Sequence, residues 1–145
     1  MVQTTSTLML TAKIGSVCER YPLRLAYVFG SHARGDADEE SDVDVAVLAN
    51  DSLDAAARHK LRLTLMDTFA EALRVPFEQV DVVVLQDVSV LLQYNVIRGG
   101  LPAYVPDSSA RREFELHVER QYEDERPFLE RETDLAISRI LSGRA

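Results

Sequence analysis

Aspartate alternates with valine twice in this chain, at Asp42-Val43-Asp44-Val45 and at Val80-Asp81-Val82. A period of two is that of an extended strand, so each run sends valines to one face and aspartates to the other. Strands with one apolar face must bury it, which selects a layered fold of sheet and helix. Asp42 and Asp44 then share a face. Two neighbouring anions repel, and burying them unpaired is costly. A divalent cation resolves that conflict, and magnesium takes oxygen ligands, commonly one or two carboxylates plus substrate phosphates. If the strand carrying Asp81 lies beside the first, at the usual spacing of ~5 Å, its carboxylate reaches the same place. Three carboxylates on two strands can hold two metal ions. The plainer alternative is a strand whose polar face is simply wet.

Other elements follow from periodicity. Residues 7–20 carry Leu8, Leu10, Ile14 and Val17 at helical spacing, and Pro22 stops that helix. Residues 25–29 form an apolar run ending at Gly30, the pattern of a buried strand. Residues 30–41 are predicted to be a loop or a loop with one short helical turn. Residues 53–74 lack Gly and Pro and repeat Leu61, Leu65, Phe69 and Leu73, a helix. Ser89 is placed to cap a helix from Val90 to Arg98, which Gly99-Gly100 ends. Residues 101–105 form an edge strand or turn. A long helical region runs to about Leu141, capped by Ser108 or Ser109, with a kink or break expected at Pro127. Within it Phe114, Val118 and Tyr122 pack onto the core at i, i+4 spacing, and Phe128, Leu129, Leu135, Ile137 and Ile140 pack inward or form a docking face.

With 145 residues, 46% of them hydrophobic and 28% charged, the chain suits one domain, residues 1–145, with a real core. No apolar run spans a bilayer, and the first residues lack the pattern of a signal peptide. Cys18 is the single cysteine, read as a small buried side chain in a reducing, cytoplasmic setting. The formal net charge of -8 disfavours direct polynucleotide binding, where basic surface supplies most affinity. It permits handling of a single nucleotide through metal ions, and it suits a basic protein partner.

The stretch before the first aspartate pair completes the pattern. Gly30-Ser31-His32-Ala33-Arg34-Gly35 follows a strand, and five residues later comes Ser41-Asp42-Val43-Asp44. A strand turning into a loop or helix at Gly-Ser can aim backbone N–H groups and a hydroxyl at phosphate. Arg34 suits a phosphate oxygen or a salt bridge to Asp36, Asp38 or Glu39. Ser41 either contributes to the nucleotide site or orients the loop through backbone bonds. This arrangement resembles the signature of the polymerase-β-like nucleotidyltransferases, and within them the minimal nucleotidyltransferase antitoxins that pair with HEPN-domain toxins. The strong match spans residues 25–48, with the Asp81 strand and residues 100–104 extending it more loosely. The resemblance implies an α/β (α+β) nucleotidyltransferase fold, with a small mixed sheet of three to four strands flanked by helices and a long C-terminal helical region. It further implies a triphosphate held at Gly30 and Ser31, metal ligands at Asp42, Asp44 and Asp81, and two magnesium ions. ATP would be the AMP donor and a HEPN-type RNase toxin the acceptor by the same implication, and a hydroxyl, a tyrosine above all, suits the chemistry because two metal ions can lower its pKa for in-line attack on the α-phosphate. Two alternatives stay open: a small-molecule acceptor such as an aminoglycoside, and a non-enzymatic antitoxin that acts by occlusion.

Near-matches to other motifs fail. Gly30-x4-Gly35 has P-loop spacing, but Asp36-Ala37 stand where Lys and Ser/Thr are needed. The acidic run from Asp36 has Ser41 and Val47 where a calcium loop requires Gly and Glu. Arg112-x4-His117 resembles the RNase motif of HEPN proteins but has Glu119 where that motif has Tyr. His32 is expected in an exposed loop and His59 on an outer helix face.

Overall fold

The computed structural model describes residues 5–141, and the side chains of residues 6–128. Helix α1 (Thr5–Cys18) leads into strand β1 (Leu23–Phe29), a single helical turn α2 (Ser31–Arg34), strand β2 (Val43–Ala49) and helix α3 (Ala55–Leu73). Strand β3 (Val80–Val84), helix α4 (Val90–Gly99), strand β4 (Leu101–Tyr104) and the 34-residue helix α5 (Ser108–Leu141) complete it. The strands form one mixed sheet in the order β3-β2-β1-β4. β1 runs antiparallel to β2 and β4, while β2 and β3, joined by α3, are parallel.

Both faces of the sheet are covered, which explains its strand chemistry. Val43, Val45 and Val47 of β2 and Val80, Val82 and Val84 of β3 pack against Ile14 and Val17 of α1 and Leu61, Leu65 and Phe69 of α3. The opposite face buries Leu25, Tyr27, Ala46, Leu48 and Leu85 with Val96 of α4. Phe114 packs against that cluster, Val118 is fully buried, and the Tyr122 ring stacks on Tyr94 at 3.7 Å. Gly15 lets α1 press onto β4, since a Cβ there would strike the Ala103 carbonyl oxygen. Cys18 is buried, and desolvation pushes its thiol up to about 12, so it is packing material and not a nucleophile.

The helix ends follow capping chemistry. Ser89 accepts the Leu92 N–H at 3.2 Å, as expected, and Asp54, not predicted as a cap, accepts the Ala57 N–H at 2.8 Å. The cap of α5 corrects the sequence reading. Asp107, which precedes both expected serines, accepts the N–H groups of Ser109 and Ala110 at 2.9 and 3.4 Å. A carboxylate competes well with a hydroxyl for helix N-terminal amides. Nor does the region divide at Pro127: α5 is one helix through it. Proline removes one backbone donor, and the helix continues on the bonds either side. The side chains of Leu129, Leu135, Ile137 and Ile140 lie outside the described residues.

Candidate functional site

The site is built where β1 ends and β2 and β3 begin. Because β2 and β3 are parallel and in register, Asp44 pairs with Asp81 across the strands. On the other side β1 places Phe29 opposite Asp44. Both aspartates project from the sheet face that carries Ala46, Leu48 and Leu85 deeper in. Asp42 stands just before β2 begins and is exposed, while Asp44 is half-buried.

Gly30 makes this corner possible. Its backbone takes φ 75° and ψ −150°, a region that side-chain-bearing residues avoid. A Cβ there would run into the Asp44 carboxylate oxygen and lie 3.2 Å from its carboxyl carbon. The backbone of the turn therefore passes directly against Asp44. The chain then enters α2, where Ala33 and Arg34 donate their N–H groups to the Gly30 carbonyl, each at 3.1 Å. Gly35 ends the turn in the left-handed conformation at φ 83°.

Charge is poorly balanced at the corner. The Asp44 carboxyl is raised above its ordinary value by desolvation first, then by the negative charges of Asp81 and Asp42, with His32 and Arg34 opposing. The carboxylates thus sense one another. They do not form a closed cage: among the described residues no three acidic, histidine or cysteine side chains stand at metal-ligating distances. The donor set is all oxygen and lies on an open face, which fits a hard cation that brings further ligands from water and phosphate.

The remaining motif side chains serve the loop. Arg34 pairs with Asp36 at 3.3 Å, both exposed. The Ser41 hydroxyl accepts the Asp38 N–H at 2.9 Å and donates to the Asp38 carboxylate at 3.1 Å, so it braces the loop. Ser31 is half-buried at the head of α2. His32 corrects the expectation of an exposed side chain. It is half-buried, and its Nε2 is the one buried side-chain polar atom without a hydrogen-bond partner among the described residues. The reason is that the segment is a helical turn, α2, and not an open loop, and His32 on it lines a cavity. His32, Gly35, Asp38, Val43 and Gln79 line a cavity of about 500 Å³ whose other wall includes Leu10 and Lys13 of α1. None of the three aspartates lines it.

Two side chains carry structure that the motif does not announce. Gln79, just before β3, donates to the backbone carbonyls of Glu39 and Ser41 at 2.9 and 3.0 Å, tying the loop to the third strand. Arg62 of α3 donates through Nε to the Val82 carbonyl at 2.6 Å, with Nη2 3.9 Å from the Asp81 carboxylate. Both bridge segments distant in sequence, and the sole local hint is the helical spacing of Arg58 and Arg62.

The polymerase beta nucleotidyltransferase family model matches residues 12–109, which include the glycine corner and all three aspartates. The chain belongs to this family. A protein adenylyltransferase, MntA of Shewanella oneidensis, is 41% identical over 78 residues, 54% of this chain. That match spans about half of the relative's length, 51%. A crystal structure of a toxin-antitoxin with AMP-PNP superposes with a TM-score of 0.67 at 28% identity, covering 90% of this chain and 98% of the other. A structure of a tri-AMPylated Shewanella oneidensis HEPN toxin in complex with an MNT antitoxin gives a TM-score of 0.64 at 26% identity, covering 93% and 98%. The fold is thus the nucleotidyltransferase fold expected from the sequence. No helix of the described residues is long and apolar enough to cross a membrane.

Proposed function

We propose that this chain is an antitoxin-type protein adenylyltransferase, which moves AMP from ATP onto a hydroxyl, most simply a tyrosine, of a HEPN RNase toxin. The observation that carries the reading is the corner where Gly30 passes against Asp44 while Asp81 stands in register beside it. Its likeness to MntA, and to complexes described as holding AMP-PNP or an AMPylated HEPN toxin, supports ATP as donor and the toxin as acceptor. The acidic surface, at formal net charge -8, suits a basic partner and not a polynucleotide. The reaction belongs in the cytoplasm, as one domain over residues 1–145.

Gly30 and Ser31 would seat the triphosphate, through close backbone approach and the serine hydroxyl. Arg34, released from Asp36, is a second candidate for a phosphate oxygen, and Ser41 keeps the acidic loop in place. Asp42 and Asp44 would hold magnesium, with Asp81 completing the set on the acceptor side. Magnesium bound there supplies charge neutralisation on the phosphates and lowers the pKa of the attacking hydroxyl. Asp81 would take the hydroxyl proton as oxygen attacks the α-phosphorus, and pyrophosphate would leave from the opposite side. The AMP left on the toxin adds negative charge and bulk where RNA phosphate must sit.

The experiment titrates the chain and its Asp44→Asn variant against the RNase, with ATP and magnesium. A covalent mark outlasts the complex, so the wild type should protect at well below one equivalent and the variant should not. Protection by both at one equivalent only would replace catalysis with occlusion.

A further inference from the structure

We infer that Arg62 is a positioning residue for Asp81, holding the third carboxylate on the acceptor side of the site; this rests on the role proposed above for Asp81. Three observations converge. First, β3 is an edge strand, with only β2 beside it. Nothing in the sheet fixes its outer flank, and α3 does so with two arginines one turn apart. Arg58 grips Asp87 beyond the end of β3, with contacts of 2.8 and 3.1 Å. Arg62 grips the strand itself, its Nε on the Val82 carbonyl at 2.6 Å. Second, the same guanidinium turns Nη2 towards Asp81, 3.9 Å from Oδ1. Nε and Nη2 leave the planar fork along one edge, so one donor can be anchored on the strand while its neighbour presents charge to Asp81, which a lysine head cannot reproduce. Third, the charge is needed there. Asp81 faces Asp44 in register, and Asp42 is close enough for its charge to be felt at Asp44. Like-charge repulsion pushes Asp81 outward from the strand, and a fixed cation on its outer side decides where it comes to rest.

The consequence is a division of labour. Gly30 and Ser31 serve the nucleotide from the β1 side of Asp44. Arg62 serves the acceptor side through Asp81, without touching nucleotide. Losing it should leave nucleotide binding intact and misplace the group that meets the hydroxyl.

The test is a double-mutant cycle on AMP transfer, with the full chain, ATP, magnesium and the acceptor protein. Arg62→Gln should lower kcat by roughly tenfold to a hundredfold, the scale of an ångström-sized misplacement. KM for ATP should stay within about twofold. In an Asp81→Asn background the same substitution should change kcat by less than about twofold, because the residue it positions is gone. An equal fold-loss in both backgrounds overturns the inference, and so does a raised KM with normal kcat. If Asp81→Asn turns over too slowly to measure, half-activating magnesium decides. Arg62→Gln should raise it about threefold or more, and an unchanged value together with unchanged kcat overturns the role. Full activity in Asp81→Asn alone would instead overturn the assignment of Asp81, so the two failures are distinguishable.

Discussion

Replacing Gly30 by alanine separates what the corner costs in stability from what it does in catalysis. At φ 75° and ψ −150° the backbone is in a region reserved for glycine, and forcing a side chain into it costs about 1–3 kcal/mol. The new Cβ also meets Asp44, but what it strikes is the carboxylate end of that side chain, which can rotate away. The stability loss is therefore mostly the backbone term. At about 2 kcal/mol, and with about 2–4 °C per kcal/mol for a chain of this size, melting should fall by about 4–8 °C. Activity should fall much further. Moving the Asp44 oxygen by an ångström would displace a group on which the proposed reaction depends, an effect of about a hundredfold. Thermal melting and initial AMP-transfer rates, measured well below the melting temperature, read the two separately. A folded Gly30→Ala protein with transfer within about twofold of wild type would refute the claim that close approach to Asp44 sets the site.

Two further perturbations probe the surroundings. The Asp44 carboxyl is raised in the fold, so the folded state holds its proton to higher pH than the unfolded chain; metal-free stability should fall as pH rises from the ordinary carboxylate range through the raised value, then level off. Asp44→Asn should abolish that dependence and raise the metal-free melting temperature at pH 7, and a lower melting temperature would contradict the repulsion argued here. Tyr27 is almost fully buried, and its hydroxyl donates to Glu115 at 2.7 Å, with Arg111 on the same oxygen at 2.8 Å. Burial and that carboxylate push the phenol well above its ordinary range. Tyr27→Phe should cost about 1.5–3 kcal/mol by chemical denaturation, and no loss would mean this bond does not hold α5 to the sheet.

How much of this was legible beforehand depended on how local each signal was. The alternation at residues 42–45 and 80–82 specified strands and carboxylate faces because its period is imposed by a single strand. Gly30 was legible as the end of a buried strand whose backbone could approach a phosphate, but its close approach to Asp44 was not, because that depends on the pairing of β1 with β2. The pairing of Asp44 with Asp81 was conditional on strand neighbourhood, which only the parallel crossover through α3 supplies. Arg62 and Gln79 left little trace in the sequence because they donate to backbone carbonyls, whose positions no side-chain pattern records, and the Arg58–Arg62 spacing alone does not say which strand lies beside it. His32 was misjudged because loop composition suggested solvent, while on the α2 turn it is half-buried with its Nε2 shielded. The α5 cap was misassigned by one or two residues because Asp107, Ser108 and Ser109 all suit the position, and geometry alone chose among them.

The central claim is that the three-aspartate corner transfers AMP to a protein hydroxyl. Intact-mass spectrometry of the HEPN partner, after incubation with this chain, magnesium and ATP, tests it most directly. The account predicts one or more AMP additions on the partner with the wild type, none with Asp42→Asn or Asp44→Asn, and none when magnesium is chelated. An unmodified partner whose RNase activity is nonetheless suppressed, or additions that persist in both aspartate variants, would contradict it.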